Sequence, residues 1–442
     1  MSDTIAAIST AFGEGAVALL RVSGPRALEI TGTLWGGKKP LTDLPSRYAA
    51  FGPLAESGAK LDDVLLTVFR APHSYTGEDV VEIGCHGGVL VTRTVLGALL
   101  RAGARAAEPG EFTRRAFRHG KLDLTQAEAV MDVVRAQTDL ALRAAREQLG
   151  GALGTRIRTA CASLLAAQAQ MEAAIDFPDE DIAPETGAVL RARVAGVLAE
   201  ARALLATATQ GRVLREGLRT VIYGAPNVGK SSLLNRLLGF ERAIVSARPG
   251  TTRDVIEETI VLHGIPVRLL DTAGLRESDD EIEQAGMERT RRALTDADLV
   301  LHVMDASLPA PEAPLAPEPR AILVLNKCDA GEHASWSGLG DVRISCATGA
   351  GLDELSAAIA GRALGGAARE DWAVSINARH QACLESAVTS LLAVLEGLDT
   401  ARSLDLVAED LRAAMEAIGD IVGRPDTEDL LGIVFSQFCI GK

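Results

Sequence analysis

Gly224-Ala225-Pro226-Asn227-Val228-Gly229-Lys230-Ser231 follows the apolar run Thr220-Val221-Ile222-Tyr223 and precedes Ser232-Leu233-Leu234-Asn235-Arg236-Leu237-Leu238. A buried strand, a glycine-rich turn and an amphipathic helix in that order make a phosphate-binding loop. The glycines let backbone N–H groups turn inward, and the helix N-terminus favours negative charge. Lys230 is expected to reach the β- and γ-phosphates, and Ser231 to hold Mg²⁺. Asn227, Val228, Gly229 and Ser232 complete the expected nucleotide contacts. An α/β sheet built around this strand follows.

The base is specified further along the chain. Asn326-Lys327-Cys328-Asp329 follows Ala321-Ile322-Leu323-Val324-Leu325, so it falls at the carboxyl end of a strand, where open α/β sheets bind ligands. A carboxylate at Asp329 can accept from both N1–H and the 2-amino group of guanine. Adenine presents neither donor and would leave the charge unmatched. Ser345-Cys346-Ala347, at another strand end, completes a guanine site. Between these motifs lie Gly250-Thr251-Thr252-Arg253-Asp254 and Asp271-Thr272-Ala273-Gly274. They fit two switch segments, with Thr252 in the Mg²⁺ shell, Asp271 reaching the metal through water and the Gly274 amide meeting the γ-phosphate. Leu275 stands where a water-positioning glutamine is expected, so either the chain hydrolyses GTP slowly or another polar group orients the attacking water. The stretch Leu275–Gly286 offers five carboxylates, Glu277, Asp279, Asp280, Glu281 and Glu283.

Motifs on both sides of this region carry a resemblance to a known family. They are Leu20-Arg21-Val22-Ser23-Gly24, Thr76-Gly77-Glu78-Asp79-Val80-Val81-Glu82, His86-Gly87-Gly88 and Pro109-Gly110-Glu111-Phe112. Lys121–Glu128, Ala174–Glu180 and the terminal Phe438-Cys439-Ile440-Gly441-Lys442 continue the series. Taken together with the GTPase motifs, the whole chain resembles the MnmE (TrmE) family of tRNA-modification GTPases. The resemblance implies a K⁺-activated GTPase in which Glu283 acts through water as the hydrolytic base. It implies K⁺ ligands at Asn227, Ser246, Arg248 (through its carbonyl) and Thr251, in a nucleotide-contacting loop that also contains Ala247, Pro249 and Gly250. Arg248-Pro249 departs from the small apolar residues expected there. A monovalent cation beside the β/γ-bridge would neutralise developing charge as a guanidinium does.

The resemblance also implies a folate pocket at the dimer interface of an N-terminal domain, with Arg21, Glu82, Lys121 and Lys442 contacting 5-formyl- or methylene-tetrahydrofolate. Cys439 is delivered toward that pocket as a possible functional thiol. Residue chemistry alone makes Arg21, Glu82 and Lys121 no more than ion-paired or surface charges. A prenylation signal at Cys439 fits poorly with Gly441-Lys442. Expected partners are a second copy of the chain, a flavoprotein (MnmG, or GidA) in a heterotetramer or larger complex, and tRNA modified at carbon 5 of the wobble uridine. A pure molecular switch, such as a ribosome-assembly GTPase, is the competing class.

Composition agrees with these expectations. A chain of 442 residues with 47% hydrophobic content calls for two or three cores. No apolar run in the sequence is expected to span a membrane, Asp3 opposes a signal peptide, and a cytoplasmic location follows. The six cysteines form no Cys-x-x-Cys pair and read as reduced thiols. A formal charge of −14 restricts nucleic-acid contact to local basic patches, for which Arg114-Arg115 with Arg118 and Lys121, or Arg143 and Arg146, are candidates. The fold class is therefore multidomain α/β. Residues 1–118 form an N-terminal α+β domain, which the resemblance implies is tetrahydrofolate-binding-like, and 119–210 the first part of a discontinuous helical domain. Residues 211–364 form an inserted Ras-like P-loop GTPase domain, and 365–442 the second helical part with its Cys-Ile-Gly-Lys tail. One helical stretch is expected from Asp123 to Ile175, broken at Gly150-Gly151, and another from Thr186 to Thr209.

Overall fold

The computed structural model describes residues 3–176, 186–240, 257–271, 292–311, 320–364, 375–400, 402–423, 428–436 and 438–442. Its chain contacts divide into two compact units. The first is Met1–Met131 with Gly154–Arg158 and Gly419–Lys442; the second is Asp132–Leu153 with Thr159–Ile418.

In the first unit the strands β1 (Ile5–Ile8), β2 (Gly15–Ser23), β3 (Ala49–Glu56), β4 (Ala59–Phe69), β5 (Val80–Gly87) and β6 (Arg105–Ala106) form one sheet. Their order is β3-β4-β5-β2-β1-β6, antiparallel except for the β1–β6 pair. The period-2 alternation of β5 decides its faces. Val81, Ile83 and Cys85 are buried with Leu20, Val22, Val64 and Leu66 against the helices Ala27–Gly32 and Val89–Arg101. The opposite face holds Arg21, Glu82, His86, Phe51, Leu65 and Val17, the last three 75%, 52% and 67% exposed. A sheet with one open face ordinarily places polar groups there. This one places a strip of large apolar side chains.

The far end of the chain packs into the same unit. The helix Glu428–Ser436 buries Leu431 and Phe435, with Phe438, against Phe117, Leu124, Ala127 and Met131. Gly110, at φ 66°, lies under that helix, where a Cβ would stand 2.9 Å from the Phe435 carbonyl oxygen. The tail then runs beside Pro109–Phe112. The Gly110 and Phe112 N–H groups donate to the carbonyls of Cys439 and Lys442, at 3.4 and 3.2 Å.

The second unit is built on β7 (Leu218–Tyr223), β8 (Glu257–Leu262), β9 (Ile265–Asp271), β10 (Leu299–Asp305), β11 (Ala321–Asn326) and β12 (Val342–Arg343). The order β12-β11-β10-β7-β9-β8 is parallel throughout except for β8. The helices Thr186–Leu205 and Ala378–Asp399, from opposite sides of that sheet in sequence, pack on one another. Arg191 donates twice to Asp399 across them, at 2.9 and 2.8 Å. The helical part of the fold is thus assembled around an inserted sheet.

Three sequence expectations change. The stretch 123–175 is three helices, Leu124–Arg135, Asp139–Leu149 and Ala152–Asp176. The unexpected break comes before Thr138, whose hydroxyl accepts from the Ala141 N–H as a helix cap. The next helix ends at Leu205 rather than Thr209, and a further one, Ala208–Glu216, leads into β7. Among the described residues one helix, Ala378–Asp399, is long and apolar enough by length and composition to cross a membrane, contrary to the expectation that none would be. Leu384, Ala387, Leu391 and Val394 on that helix are buried in the protein, as in a core helix.

Candidate functional site

Strand β7 is central, between β9 and β10; the chain leaves β7 toward the β8 edge and leaves β10 toward β11, in opposite directions along the sheet, and this is where a doubly wound sheet opens a crevice for ligand. The loop that leaves β7 is shaped by close approach. A Cβ on Gly224 would fall 2.3 Å from the Val303 carbonyl oxygen on β10, and one on Gly229 only 2.2 Å from the Asn326 side-chain nitrogen. Asn227 adopts a left-handed backbone, φ 63°, with its side chain exposed at the loop. The helix Lys230–Phe240 starts directly behind it, with Ser231 and Ser232 exposed at its first turn. Lys230 Nζ donates to the Ala225 carbonyl at 2.8 Å, spanning the loop from its far side.

Asn326 is the hub of the site. It is 1% exposed, and its amide donates to the Val228 carbonyl at 2.8 Å. Its Oδ1 accepts from the Cys346 N–H at 3.1 Å. Lys327, at φ 65°, pairs through Nζ with Asp305 at the end of β10, at 2.7 Å. Burial raises the Asp305 carboxyl, but Lys327 and Ser307 donate to it, and the result lies below the ordinary carboxylate range. Ser345, buried, donates from Oγ to Asp329 Oδ1 at 2.5 Å and leaves the rest of that exposed carboxylate open. Arg236, two turns into the helix, donates from Nε to the Cys346 carbonyl and from Nη2 to the Ala347 carbonyl, at 2.8 and 2.7 Å. Asn227, Val228, Gly229, Lys230, Asn326, Lys327, Asp329, Ser345, Cys346 and Ala347 therefore gather at one end of the sheet. The backbone of Asp271 joins them at the end of β9, opposite Ile222 of β7. Ser246, Ala247, Arg248, Pro249, Gly250, Thr251, Thr252, Thr272, Ala273, Gly274 and Glu283 lie outside the described residues.

A second cluster sits on the open face of the first sheet. Arg21 and Glu82 are direct cross-strand neighbours, and Arg21 donates from Nε and Nη2 to Glu82 Oε1 at 3.0 and 2.7 Å. The guanidinium also lies over the rings of Tyr75 and Phe112, 5.3 and 5.7 Å from their centroids, in cation–π geometry. Tyr75 Oη is 2.9 Å from Thr113 Oγ1, and burial raises the Tyr75 hydroxyl above its ordinary value. Phe112 in turn donates its N–H to the Lys442 carbonyl, so the tail reaches the same cluster. Lys121 Nζ donates to the Pro72 carbonyl, at 3.0 Å, in the loop that leads to Tyr75. Cys439 is exposed on the tail.

The motifs around this cluster are largely structural. Glu111, with no exposed side-chain surface, takes Arg105 at 2.6 Å and Arg115 at 2.9 Å. Arg115 also reaches Glu78 and Asp3. Of the candidate basic patch at Arg114-Arg115 with Arg118 and Lys121, Arg115 is only 3% exposed and enclosed by carboxylates and Arg114 pairs with Glu108, while Lys121 is exposed. Sequence reasoning missed Arg236, Asp305, Tyr75 and this network. A strand-terminal aspartate before Ala306-Ser307 was a usable signal for Asp305; Arg236 carries none.

Residues 4–121 match the family described as GTP-binding protein TrmE N-terminus, and residues 124–439 match the MnmE helical domain. The tRNA modification GTPase MnmE of Akkermansia muciniphila is 50% identical over 444 residues, 99% of each chain. That of Chloroflexus aurantiacus is 47% identical over 461 residues, 100% of each, and that of Enterococcus faecalis 44% over 457, covering 100% of this chain and 98% of the relative. Among solved structures, the G domain of the T. maritima FeoB iron transporter is 30% identical over 33% of this chain and 97% of its own, at a TM-score of 0.24.

Proposed function

The chain belongs to the MnmE family of tRNA modification GTPases, and on that premise we propose that it hydrolyses GTP, stimulated by K⁺, to drive modification of carbon 5 of the wobble uridine of tRNA with a folate one-carbon unit. The observation that carries the GTPase reading is the closed hydrogen-bonded connection from Val228 through Asn326 to Cys346 at the switch point of the parallel sheet. It joins a phosphate loop to a base-recognising carboxylate. In this reading Asp329 accepts from the guanine edge and Lys230 leaves the Ala225 carbonyl for the β- and γ-phosphates. Ser231, Thr252 and Asp271 would hold Mg²⁺, and Asn227, Ser246, Arg248 and Thr251 would hold K⁺. Oxygen donors suit both hard cations, which supply charge neutralisation at the leaving phosphate when bound. Glu283 orients the attacking water in place of the position occupied by Leu275.

The Arg21–Glu82 pair, with Lys121 and Lys442, is proposed as the folate site, with Cys439 nearby on the tail. Tyr75 and the fully buried Phe112, beneath the Arg21 guanidinium, hold that charge in one place on the sheet face, which supports its use as a ligand contact. The strip Phe51, Leu65 and Val17 on the open sheet face supports a homodimer built there, because large apolar groups on a water-facing sheet mark an interface. The division into 1–118, 119–210, 211–364 and 365–442, a cytoplasmic location, and a complex with tRNA and the MnmG flavoprotein complete the proposal.

The test is GTP turnover of the full chain in K⁺ and in Na⁺, with 5-formyltetrahydrofolate binding measured alongside. Turnover is expected to be higher in K⁺ by on the order of 10-fold or more, with the difference removed in Asn227→Ala. Equal rates in both salts dismiss the K⁺ site, and failure to bind 5-formyltetrahydrofolate returns the chain to the pure switch class.

A further inference from the structure

We infer that Arg236 is a positioning residue for guanine recognition. It sits on the helix that follows the phosphate loop, yet its fork of donors ends on two consecutive carbonyls of the loop after β12, Cys346 at 2.8 Å and Ala347 at 2.7 Å. The same loop is tied from its other side. The Cys346 N–H donates to Asn326, and Ser345 both donates to Asp329 and accepts from the Thr348 N–H at 3.1 Å. With its two carbonyls turned toward Arg236, the peptide chain at Ser345–Ala347 has one orientation, and Ser345 holds the Asp329 carboxylate in a fixed direction. A planar guanidinium matches two adjacent carbonyls in a way that a single ammonium cannot.

The consequence is a closed ring: phosphate-loop Val228, Asn326, Cys346, Arg236, and back along the helix to Lys230 and the loop. Through it, the base-binding side of the site is referenced to the phosphate-binding side by a residue that touches neither the base nor a phosphate. The inference rests on the reading of Asp329 and Ser345–Ala347 as the guanine site.

The experiment compares GTP with inorganic tripolyphosphate, which engages the phosphate loop alone. Arg236→Ala and Arg236→Lys are measured for equilibrium binding of both ligands, with Asp329→Asn as a reference. Arg236→Ala is expected to weaken GTP about 10-fold, as for two lost charge-assisted hydrogen bonds that act indirectly, while tripolyphosphate binding stays within about 2-fold. Arg236→Lys keeps the charge and is expected to recover part of the GTP affinity. Undiminished GTP binding in Arg236→Ala, or equal loss of GTP and tripolyphosphate in the exposed and conservative Arg236→Lys variant, overturns the inference. If Asp329→Asn also leaves GTP binding intact, the guanine site itself is wrong; if it weakens GTP while both Arg236 variants do not, only the role of Arg236 falls.

Discussion

In the parallel sheet, Tyr223, Asp271, Asp305 and Asn326 each end a strand at the same end of the sheet, and the described loops after Tyr223, Asp305 and Asn326 gather the site residues. In the antiparallel sheet, Arg21 and Glu82 meet in mid-strand, 61 positions apart in sequence, and are joined from the far end of the chain by the tail at Lys442. The first arrangement writes its chemistry into short contiguous motifs, because each loop carries several contacts at once. The second depends on register, in which any two charges face one another only if the strands between them pair correctly. The charged groups also do different things. In the GTPase unit Asp329 is exposed and Lys230 half-buried at the loop, whereas around the N-terminal sheet Glu111 and Arg115 are sealed in and hold the fold.

The largest effect that would break this contrast concerns Glu111. Its replacement by alanine takes from the buried Arg115 one of three carboxylate partners, with Asp3 and Glu78 remaining, and this partial break of a buried ion pair costs about 3 kcal/mol, the low end for a lost partner. Urea unfolding of the full chain, followed by circular dichroism, should show an N-terminal transition displaced by that amount. Burial raises the Glu111 carboxyl, while Arg105, the Glu108 N–H and Arg115 bring it below its ordinary value of 4.5. A carboxyl depressed in the folded state contributes stability that is complete above pH 4.5 and is lost as pH falls through the depressed value. The acid limb of the stability profile should therefore flatten in Glu111→Gln. A Glu111→Ala protein as stable as the parent would mean the network is ornamental.

Next in size is Glu283→Ala, expected to slow GTP turnover by about 10²-fold or more at near-normal GTP affinity. Glu277→Ala and Glu281→Ala, in the same acidic stretch, should change turnover far less. Equal small effects for all three would leave the attacking water without an assigned partner.

Asp329→Asn follows, with GTP binding weakened by roughly 10- to 100-fold and a xanthine nucleotide preferred, since an amide presents a donor where guanine also presents donors. Isothermal titration with both nucleotides reads this directly, and unchanged selectivity would detach base recognition from the strand-end motif.

The smallest effect belongs to Arg21→Ala. Folate binding should weaken about 10-fold, with GTP turnover within about 2-fold, because the two residue sets lie in separate compact units. A matching loss of GTP turnover would indicate that the substitution damages folding rather than a ligand contact.

What was legible in the sequence follows the same division. The phosphate loop, the Asn326–Asp329 strand end and the α/β character of the sheet around β7 could be read locally, since strand, turn and helix are adjacent in the chain. The helical breaks could not all be read: Gly150-Gly151 announced itself, but the stop before Thr138 lies among good helix formers and becomes visible only through the cap hydrogen bond. On the helix Leu404–Val422 the apolar residues recur at 3–4 spacing. Leu404 is exposed, while Val407, Ala408, Leu411, Ala414, Ile418 and Ile421 form the buried stripe. The charges of Arg21, Glu82 and Arg115 gave no sign in the sequence of which would be buried.

The tail that pairs beside Pro109–Phe112 has a consequence for the order of events on the ribosome. Ser9 donates to the Gly441 carbonyl, a partner 432 positions downstream, and Ile440 closes a bridge with Pro109. At about 5–20 residues per second, Ser9 emerges roughly 20 to 90 seconds before that partner is synthesised. The strands of the first unit are all made early, but the segments that cap Gly110, Phe112 and Phe117 arrive after the whole GTPase sheet has been translated. The inserted sheet can therefore reach its native state while its host is still waiting for its last pieces, and nascent chains halted anywhere before Phe435 should expose the Phe117–Met131 surface to chaperones and proteases.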